Sequence, residues 1–324
     1  MKLSEITSYL EGIAPLSIQE SYDNSGLQVG DPDMDVTGIL ISFDITEEVL
    51  HEAIVYNCNL VITHHPLIFD GIRSISGSTS VERIIIASIK TEIAIYSGHT
   101  NFDSIEGGVN TFMAKRIGLK NTRILRPAKG MLRKLVVFVP ENYADPVREA
   151  MFAAGAGNIG EYDSCSFNAR GEGTFRGSEG SNPFAGKKGE LHHEPEIRIE
   201  TIVPSTFVSR VVKEMIKAHP YEEVAYDIYP MDNLYEKAGA GMIGDLPQPM
   251  KEHDFLKFVK ESYQCSCLRH SKLIGKKIQK VALCGGSGSF LLKDALTAGA
   301  DAFITGDLKY HQFFNAEDHM IIMD

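Results

Sequence analysis

The chain has 324 residues, of which 43% are hydrophobic, and this length suits about two domains with cores of their own. Its 32 basic and 43 acidic side chains give a formal net charge of −11, which excludes a general binder of polymeric nucleic acid, because such proteins need a basic face. No segment approaches the roughly 18 apolar residues of a membrane helix, and the N-terminus lacks the apolar core of a signal peptide. Together with five cysteines that never form a CxxC pair, this composition predicts a cytoplasmic protein without a disulfide framework and without a membrane partner.

Residues 39–63 have the pattern of an apolar strand, an amphipathic helix and a second apolar strand. The same pattern returns without a gap at residues 281–305, at a constant offset of 242. Continuous apolar strands separated by helices are typical of a parallel sheet covered on both faces. The pattern favours an internally duplicated α/β domain, although any two βαβ units share it and the identical residues are few.

A second repeat lies inside the first one. Residues 139–165 align without a gap with residues 203–229, and each copy has the pattern of a strand, a helix and a strand. Two such copies give the βαββαβ order of a ferredoxin-like sandwich. The segment between them, residues 171–189, is rich in glycine and is predicted to be a mobile loop.

The nesting of the two repeats predicts the domain organisation. A discontinuous, duplicated α/β domain is expected at about residues 1–127 and 245–324, and an inserted α+β domain at about residues 128–244. Within the insert, the pair His192-His193 is predicted to lie in a loop. His219 is predicted to end a helix, where its protonated form would complement the helix dipole.

Two adjacent histidines, His64 and His65, follow the second apolar strand of the first copy. In open parallel sheets, ligands bind outside the carboxyl ends of the strands. Neutral imidazole is the commonest transition-metal ligand, and paired histidines favour zinc, iron or manganese over calcium. The two histidines are therefore candidate metal ligands, while a polar exposed loop is the alternative for a histidine pair taken alone.

The next predicted strand, residues 93–96, is also followed by polar groups, His99 and Asp103. Asp103 is a candidate metal ligand, and His99 is a candidate for an adjacent hydrogen-bonding or proton-transferring group. The alternative is that Asp103 only caps a helix. Two clusters on successive strand ends favour a metal site over capping alone.

The second copy of the first repeat carries other polar groups at its strand ends. Asp307 occupies the position that corresponds to His65, and His311 follows it. If the two halves face each other, both groups approach the histidines from the opposite wall, while helix capping by Asp307 is the alternative. A glycine-rich turn contains Gly286 and Ser287, whose amides are candidates for contacts with an anion such as phosphate.

The motifs at these strand ends also occur together in a known family. They are DNSGLQVG at 23–30, THHP at 63–66, SGHTNFD at 97–103, a glycine pair at 107–108, CGGSGS at 284–289 and TGDLKYH at 305–311. Over essentially its whole length, the chain resembles the GTP cyclohydrolase 1 type 2 homologue family, also called Nif-three-like. It is similar in particular to the longer bacterial members, which carry a PII-like or CutA-like insertion.

The resemblance implies a toroidal homohexamer with a site for two divalent metal ions per chain. It places metal ligands at His64, His65 and Asp103. The family's remaining ligands come from a GHxxxE-type motif after the strand that follows TGDLKYH, and the sequence stops at Asp324, where that motif would begin. We therefore expect a chain truncated at its C-terminus, with one histidine and one glutamate ligand missing and with incomplete metal occupancy.

The predicted function is that of a metal-dependent hydrolase acting on a nucleotide or phosphoester, with His99 and His311 as candidate catalytic residues for proton transfer. Asp307, Gly286 and Ser287 are assigned to substrate contacts or to the surroundings of the ligands. One alternative is a non-enzymatic metal-binding regulatory or interaction protein that uses the PII-like insert as a sensor, and another is a metal chaperone or store. The predicted partners are further copies of the chain and a small-molecule or nucleotide ligand.

Overall fold

Three sheets and the helices that cover them form a mixed α/β fold in the computed structural model, which describes residues 1–316 and 318–324. Contacts divide these residues into two compact units: unit 1 joins Met1–Pro127 to Glu236–Asp324, and unit 2 is Ala128–Tyr235. None of the helices that the structure describes is long and apolar enough to cross a membrane. The predicted α/β fold class is confirmed, and the domain limits drawn from the sequence stay a prediction.

The first half of unit 1 alternates strands and helices. Its elements are, in chain order, α1 (Leu3–Ile13), β1 (Gly26–Val29), β2 (Ile39–Ser42), α2 (Glu47–Val55), β3 (Leu60–Thr63), α3 (Ser80–Lys90), β4 (Ala94–Ser97), α4 (Thr100–Asp103), α5 (Val109–Arg116) and β5 (Lys120–Ala128). The first sheet has the order β1-β4-β3-β2, with β2, β3 and β4 parallel and β1 antiparallel to β4. Leu50 and Ala53 of α2 pack on Val61 and Ile95, whereas Leu3 of α1 packs on the opposite face.

Unit 2 has the predicted βαββαβ order. Its elements are β6 (Leu132–Pro140), α6 (Ala144–Ala153), β7 (Ser166–Phe175), β8 (His192–Pro204), α7 (Val208–Ala218) and β9 (Tyr226–Met231). The strands are antiparallel in the order β7-β8-β6-β9. Val137 and Ile199 pack against Val147 of α6 and Val211 of α7, so both helices cover one face of the sheet, as in a ferredoxin-like sandwich.

Two details predicted for unit 2 are wrong. The segment 171–189 is not a loop throughout, because β7 continues as far as Phe175, which pairs with His192 of β8. For the same reason, His192 and His193 lie on a strand and not in a loop. Pairing with β8 outweighs the low strand propensity of Gly171 and Gly173.

The chain then returns to unit 1. The elements of this half are β10 (Tyr235–Lys251), α8 (Glu252–Ser262), β11 (Lys277–Leu283), α9 (Leu292–Thr297), β12 (Ala302–Ile304) and β13 (Ile321–Met323). The second sheet has the order β13-β12-β11-β10-β5, with β11, β12 and β13 parallel and β10 antiparallel to β11. Phe255 of α8 packs with Val281 on one face, and Ala295 of α9 packs with Phe303 on the other.

The offset of 242 between the two halves holds for the pairing of their strands. In the first sheet, β2 pairs with β3 from Ile39 opposite Leu60 onward. In the second sheet, β11 pairs with β12 from Val281 opposite Ala302 onward, which adds 242 to both numbers. The two copies have the same spacing of apolar residues and the same hydrogen-bonding register. This agreement is expected, because a shift in register would move the buried side chains to the other face of the sheet.

Candidate metal centre

The two strand ends with predicted metal ligands are neighbours in the first sheet. The parallel strands β3 and β4 pair as far as Thr63 opposite Ser97, so the residues that follow both strands emerge at one edge. Thr63 Oγ1 and Ser97 Oγ share a hydrogen bond of 2.9 Å, and Thr63 Oγ1 also donates to the carbonyl oxygen of His65 at 2.8 Å. These bonds fix the turn that carries the histidines.

The imidazoles of His64 and His65 are each held through Nδ1. Nδ1 of His64 lies 2.9 Å from the carbonyl oxygen of Gly98, and Nδ1 of His65 lies 2.7 Å from Oδ1 of Asp44. Because a carbonyl oxygen and an ionised carboxylate only accept hydrogen bonds, Nδ1 carries the proton in both rings. Nε2 is therefore the nitrogen left with a lone pair for a metal ion.

His99 is held in the same way by a shielded carboxylate. Its Nδ1 lies 2.7 Å from Oδ1 of Asp23, whose side chain has no exposed surface. Burial alone would raise the pKa of Asp23, but hydrogen bonds from His99, Thr100 and Asn24 lower it to about 2. Asp23 is thus an ionised acceptor, and it leaves Nε2 of His99 free in turn.

His64, His65 and His99 form a group that we call the histidine cluster. One ring nitrogen from each lies within 4.8 Å of the others, and the ring centroids are 5.1 to 5.4 Å apart. Burial lowers the pKa of His64, which favours the neutral ring that a metal requires. Three imidazoles held at Nδ1 match the donor set of a transition-metal ion, so the histidine cluster can hold such an ion.

Asp103 lies at the edge of the histidine cluster. Its Oδ1 is 3.9 Å from Nε2 of His64 and is buried without a hydrogen-bond partner among the described residues. Burial raises the pKa of this carboxyl group to about 6. A buried carboxylate oxygen without a donor fits a position that a cation would complete. The structure brings Asp103 beside the histidines, and its role as a ligand stays a prediction.

The glycine-rich turn after β11 is connected to the same region by Asn110. Asn110 Nδ2 donates to the carbonyl oxygen of Asp103 at 2.9 Å, and Asn110 Oδ1 accepts from the amide of Gly285 at 2.8 Å. The amide of Gly288 donates to Thr305 Oγ1 at 2.8 Å. Two of the four amides at 285–288 are thus used within the chain. Among the described residues, the amides of Gly286 and Ser287 have no acceptor and remain for the predicted anion contact.

Asp307 and His311, the predicted polar groups of the second copy, are both exposed. Asp307 is exposed, with a left-handed φ of 56°. His311 is exposed in the short 3-10 helix Tyr310–Phe314. Within the part of the chain that the structure describes, neither residue belongs to the group of potential metal ligands. The role of Asp307 near substrate or the ligands and the role of His311 in proton transfer stay predictions.

Exposed aromatic rings border the histidine cluster. We call Tyr22, Phe43 and Phe69 the aromatic rim; their exposed fractions are 61%, 63% and 49%. The ring centroid of Phe43 is 4.6 Å from that of His65, and the centroid of Phe69 is 6.4 Å from that of His99. Large exposed rings beside a polar site offer stacking surfaces to a flat ligand.

Sequence reasoning missed three residues of this site, Asp23, Phe43 and Asp44. Phe43 and Asp44 follow β2, the third parallel strand of the sheet, so the rule that ligands bind outside carboxyl strand ends could have included them. Asp23 is the first residue of the DNSGLQVG motif and precedes β1, but no spacing in the sequence relates it to His99.

Comparison with known proteins identifies relatives over nearly the full chain. A family model described as Duf34/NIF3 (NGG1p interacting factor 3) matches residues 1–324. A protein of Halalkalibacterium halodurans named GTP cyclohydrolase 1 type 2 homolog is 43% identical over 307 residues, which are 94% of this chain and 82% of that protein. A Bacillus subtilis protein of the same name is 38% identical over 308 residues, covering 95% of this chain and 83% of the relative.

A solved structure supports the same relationship. The structure of a Bacillus cereus protein related to NIF3 matches with a TM-score of 0.88 and 41% identity, and the match covers 100% of this chain and 87% of that one. The fold and the sequence motifs therefore agree with the match to the family model. The chain belongs to the Duf34/NIF3 family.

Proposed function

We propose that this chain is a metal-dependent hydrolase that acts on a nucleotide or phosphoester. The observation that carries the proposal is the histidine cluster, in which an oxygen atom holds Nδ1 of every ring. When bound, a divalent metal ion supplies Lewis acidity toward a phosphoryl or carbonyl oxygen and acidifies water.

His64, His65 and Asp103 are the proposed metal ligands. The two histidines are held with Nε2 available, and Oδ1 of Asp103 is buried without a donor among the described residues. We extend the proposal to two ions of zinc, iron or manganese per chain, following the resemblance seen in the sequence. Imidazole and carboxylate ligands suit all three metals.

His99 is the proposed proton-transfer group. Asp23 fixes its tautomer through Nδ1, so Nε2 is the nitrogen positioned to exchange a proton with substrate. His99 belongs to the histidine cluster, but the resemblance assigns the ligands to His64, His65 and Asp103. We therefore expect His99→Ala to keep the metal content and to lower kcat by about 10²–10⁴-fold. Loss of metal in His99→Ala would instead identify His99 as a ligand and would leave proton transfer to another group, such as His311.

The aromatic rim supports a nucleotide as the preferred substrate. A purine base could stack on the exposed ring of Phe43 while its phosphates approach the histidine cluster. The relatives named GTP cyclohydrolase 1 type 2 homolog make GTP the first nucleotide to test. Phe43→Leu should raise KM for the nucleotide more than KM for a small phosphoester that lacks a base.

The test measures metal content by elemental mass spectrometry, together with turnover of GTP and of aryl phosphoesters. His64→Ala and Asp103→Ala should reduce both quantities. The exposed residues His51 and Asp254 provide matched controls, and His51→Ala and Asp254→Ala should change neither quantity. Turnover that survives His64→Ala and Asp103→Ala would eliminate this mechanism.

A toroidal homohexamer, in which unit 2 is a PII-like insert, is part of the proposal on the strength of the resemblance. Light scattering coupled to size-exclusion chromatography should then give six times the mass of one chain. A monomer or dimer at micromolar concentration would contradict this assembly.

A second candidate is a non-enzymatic metal-binding regulatory or interaction protein that uses unit 2 as a sensor. The observation that favours it is a cavity of about 830 Å³ within unit 2. This candidate predicts bound metal without turnover of any nucleotide or phosphoester. Turnover that depends on His64 and Asp103 would decide against it.

A further inference from the structure

The cavity of unit 2 opens on the face of its sheet that the helices leave uncovered. Val137 and Ile199 face the helices, so the alternating residues Phe138 and Arg198 point to the other face and line the cavity. On β7, three residues on this face are small, and they leave room beside β8. These small residues are Ala169, Gly171 and Gly173.

A buried carboxylate lies in this cavity. Glu196 on β8 is 8% exposed, and its Oε1 accepts a hydrogen bond of 3.0 Å from the hydroxyl of Tyr221. Within the described residues, no lysine, arginine or histidine forms an ion pair with Glu196. Of the three arginines of the lining, Arg170 and Arg198 are paired instead with Glu141 and Glu200, and Arg176 is exposed. Because burying a charge without a counter-charge is costly, Glu196 lacks a cationic partner that a ligand could supply.

Aromatic rings surround the same space. The ring centroid of Tyr221 is 5.7 Å from that of Phe175 and 6.0 Å from that of Phe184. Phe184 is also 5.4 Å from Tyr143 in an edge-to-face contact. The faces of aromatic rings attract cations, most strongly when the cation is removed from water.

Tyr221 is positioned by a histidine that the sequence assigned to a helix end. Nε2 of His219 donates to the carbonyl oxygen of Phe138 at 2.9 Å, and Nδ1 accepts from the amide of Tyr221 at 3.1 Å. This tautomer is neutral, and burial lowers the pKa of His219, so the predicted interaction of a protonated His219 with the helix dipole is wrong. His219 instead fixes the backbone beside the hydroxyl that contacts Glu196.

Part of the segment between β7 and β8 lines the cavity and is hydrogen-bonded to the same region. The amide of Asn182 donates to Oε1 of Glu222 at 2.7 Å, one residue after Tyr221. Phe184 from this segment lines the cavity together with Tyr221. The segment thus contributes an aromatic wall as well as glycines.

We propose that the cavity of unit 2 binds a small organic cation, namely a protonated amine carried on an apolar group. Glu196 takes the charged nitrogen, the hydroxyl of Tyr221 orients the carboxylate, and the rings of Phe175 and Phe184 pack around the apolar group. This site is separate from the histidine cluster, and it is independent of the proposed hydrolase activity.

The test uses isothermal titration calorimetry on the full chain with benzylamine, which is protonated at neutral pH, and with benzyl alcohol as a neutral analogue of similar shape. Benzylamine should bind, and benzyl alcohol should bind at least about tenfold more weakly. Glu196→Gln should weaken benzylamine binding by about tenfold or more. Glu179→Gln, in the exposed part of the same segment, should leave it unchanged.

A pair of glycine substitutions tests the same site by shape. A Cβ atom at Gly173 would lie 2.2 Å from Oε2 of Glu196, whereas a Cβ atom at Gly180 would meet nothing within 4 Å. Gly173→Ala should therefore reduce benzylamine binding, and Gly180→Ala should not, with equal thermal unfolding as the check on folding. Three results would overturn the proposal: no benzylamine binding at millimolar concentration, equal affinity for benzyl alcohol, or unchanged affinity in Glu196→Gln.

Discussion

Asp23 shows how one side chain determines the state of another at the metal centre. Its carboxylate is shielded from solvent and accepts hydrogen bonds from the amides of Asn24 and Thr100 and from the hydroxyls of Ser25 and Thr100, besides the bond from His99. These donors keep Asp23 ionised, and they join the segment before β1 to the beginning of α4. Asp23 therefore has a structural role as well as a role in orienting His99.

The structural role of Asp23 predicts a loss of stability. Asp23→Ala leaves several donors without their acceptor, so the free energy of unfolding should fall by about 2–4 kcal/mol. Urea denaturation in the presence of a chelator measures this difference without any contribution from bound metal. The exposed Asp33 gives the control, since Asp33→Ala should change stability by less than about 0.5 kcal/mol. An equally small effect of Asp23→Ala would contradict this role.

Glu82, in the first turn of α3, gives a pH-dependent prediction that does not involve the histidine cluster. Its carboxylate accepts hydrogen bonds from the amides and hydroxyls of Ser76 and Ser78, and these bonds, with that from the Ser76 amide first, lower its pKa from 4.5 to about 2. The stabilisation is present above pH 4.5 and is lost as the pH falls toward 2. Amide exchange of Ser76 and Ser78 should therefore accelerate over this range after correction for intrinsic rates. Glu82→Gln should abolish the pH dependence, and its persistence would exclude Glu82 as the cause.

At the scale of elements, the two repeat copies use the same residue type to end a strand. Thr63 follows the apolar part of β3 and bonds the carbonyl oxygen of His65, whereas Thr305, which is 242 residues later, bonds Gly286 and Gly288. Both hydroxyls are buried and hold the turn at a strand end. The two threonines thus share a position at a strand end, whereas the turns that they bond are different.

The threonine of the first copy should influence metal binding without touching the metal. Thr63→Val removes the hydroxyl that holds the turn of His64 and His65, so metal affinity should fall by about 10–100-fold. Competition with a chromogenic chelator measures this affinity. Thr63→Ser should restore most of it, and Thr122→Val, on an exposed position of β5, should have no effect. Unchanged affinity in Thr63→Val would show that the turn is held by other contacts.

Elements with a regular apolar pattern could be predicted from the sequence, and elements fixed by distant pairing could not. The pattern of residues 39–63 predicted β2, α2 and β3 because burial on both faces requires those side chains. The four-residue strand β1 was not predicted, since it depends on pairing with β4, about 70 residues away. At the site, strand ends indicated His64, His65, His99 and Asp103, whereas Asp23 is 76 residues from its partner His99.

At the scale of the molecule, the chain leaves and re-enters unit 1 through neighbouring strands. Unit 2 is inserted between β5 and β10, which are adjacent in the second sheet. The histidine cluster and Asp103 belong entirely to the first half of unit 1. The metal centre and unit 2 are therefore built from separate parts of the chain.

This separation predicts that the metal centre survives removal of unit 2. A variant in which residues 129–234 are replaced by a short glycine-rich connection should bind as much metal per chain as the full chain. Elemental mass spectrometry measures the content, and the same replacement in a His64→Ala background should abolish it. Loss of metal in the deletion variant, with native circular dichroism, would show that unit 2 contributes to the site.

The two parallel strand pairs have the same register, but the residues that follow them differ. One pair, β2 with β3, is followed by histidines, and the other, β11 with β12, is followed by Gly306 and Asp307, although the backbone ladders correspond residue for residue. Residues beyond the ladder can therefore be exchanged without altering the hydrogen bonds that hold the sheet together. The duplicated strands therefore provide two equivalent supports for polar side chains. During evolution, substitutions after one strand pair can be tolerated while the residues after the other pair keep their candidate metal ligands.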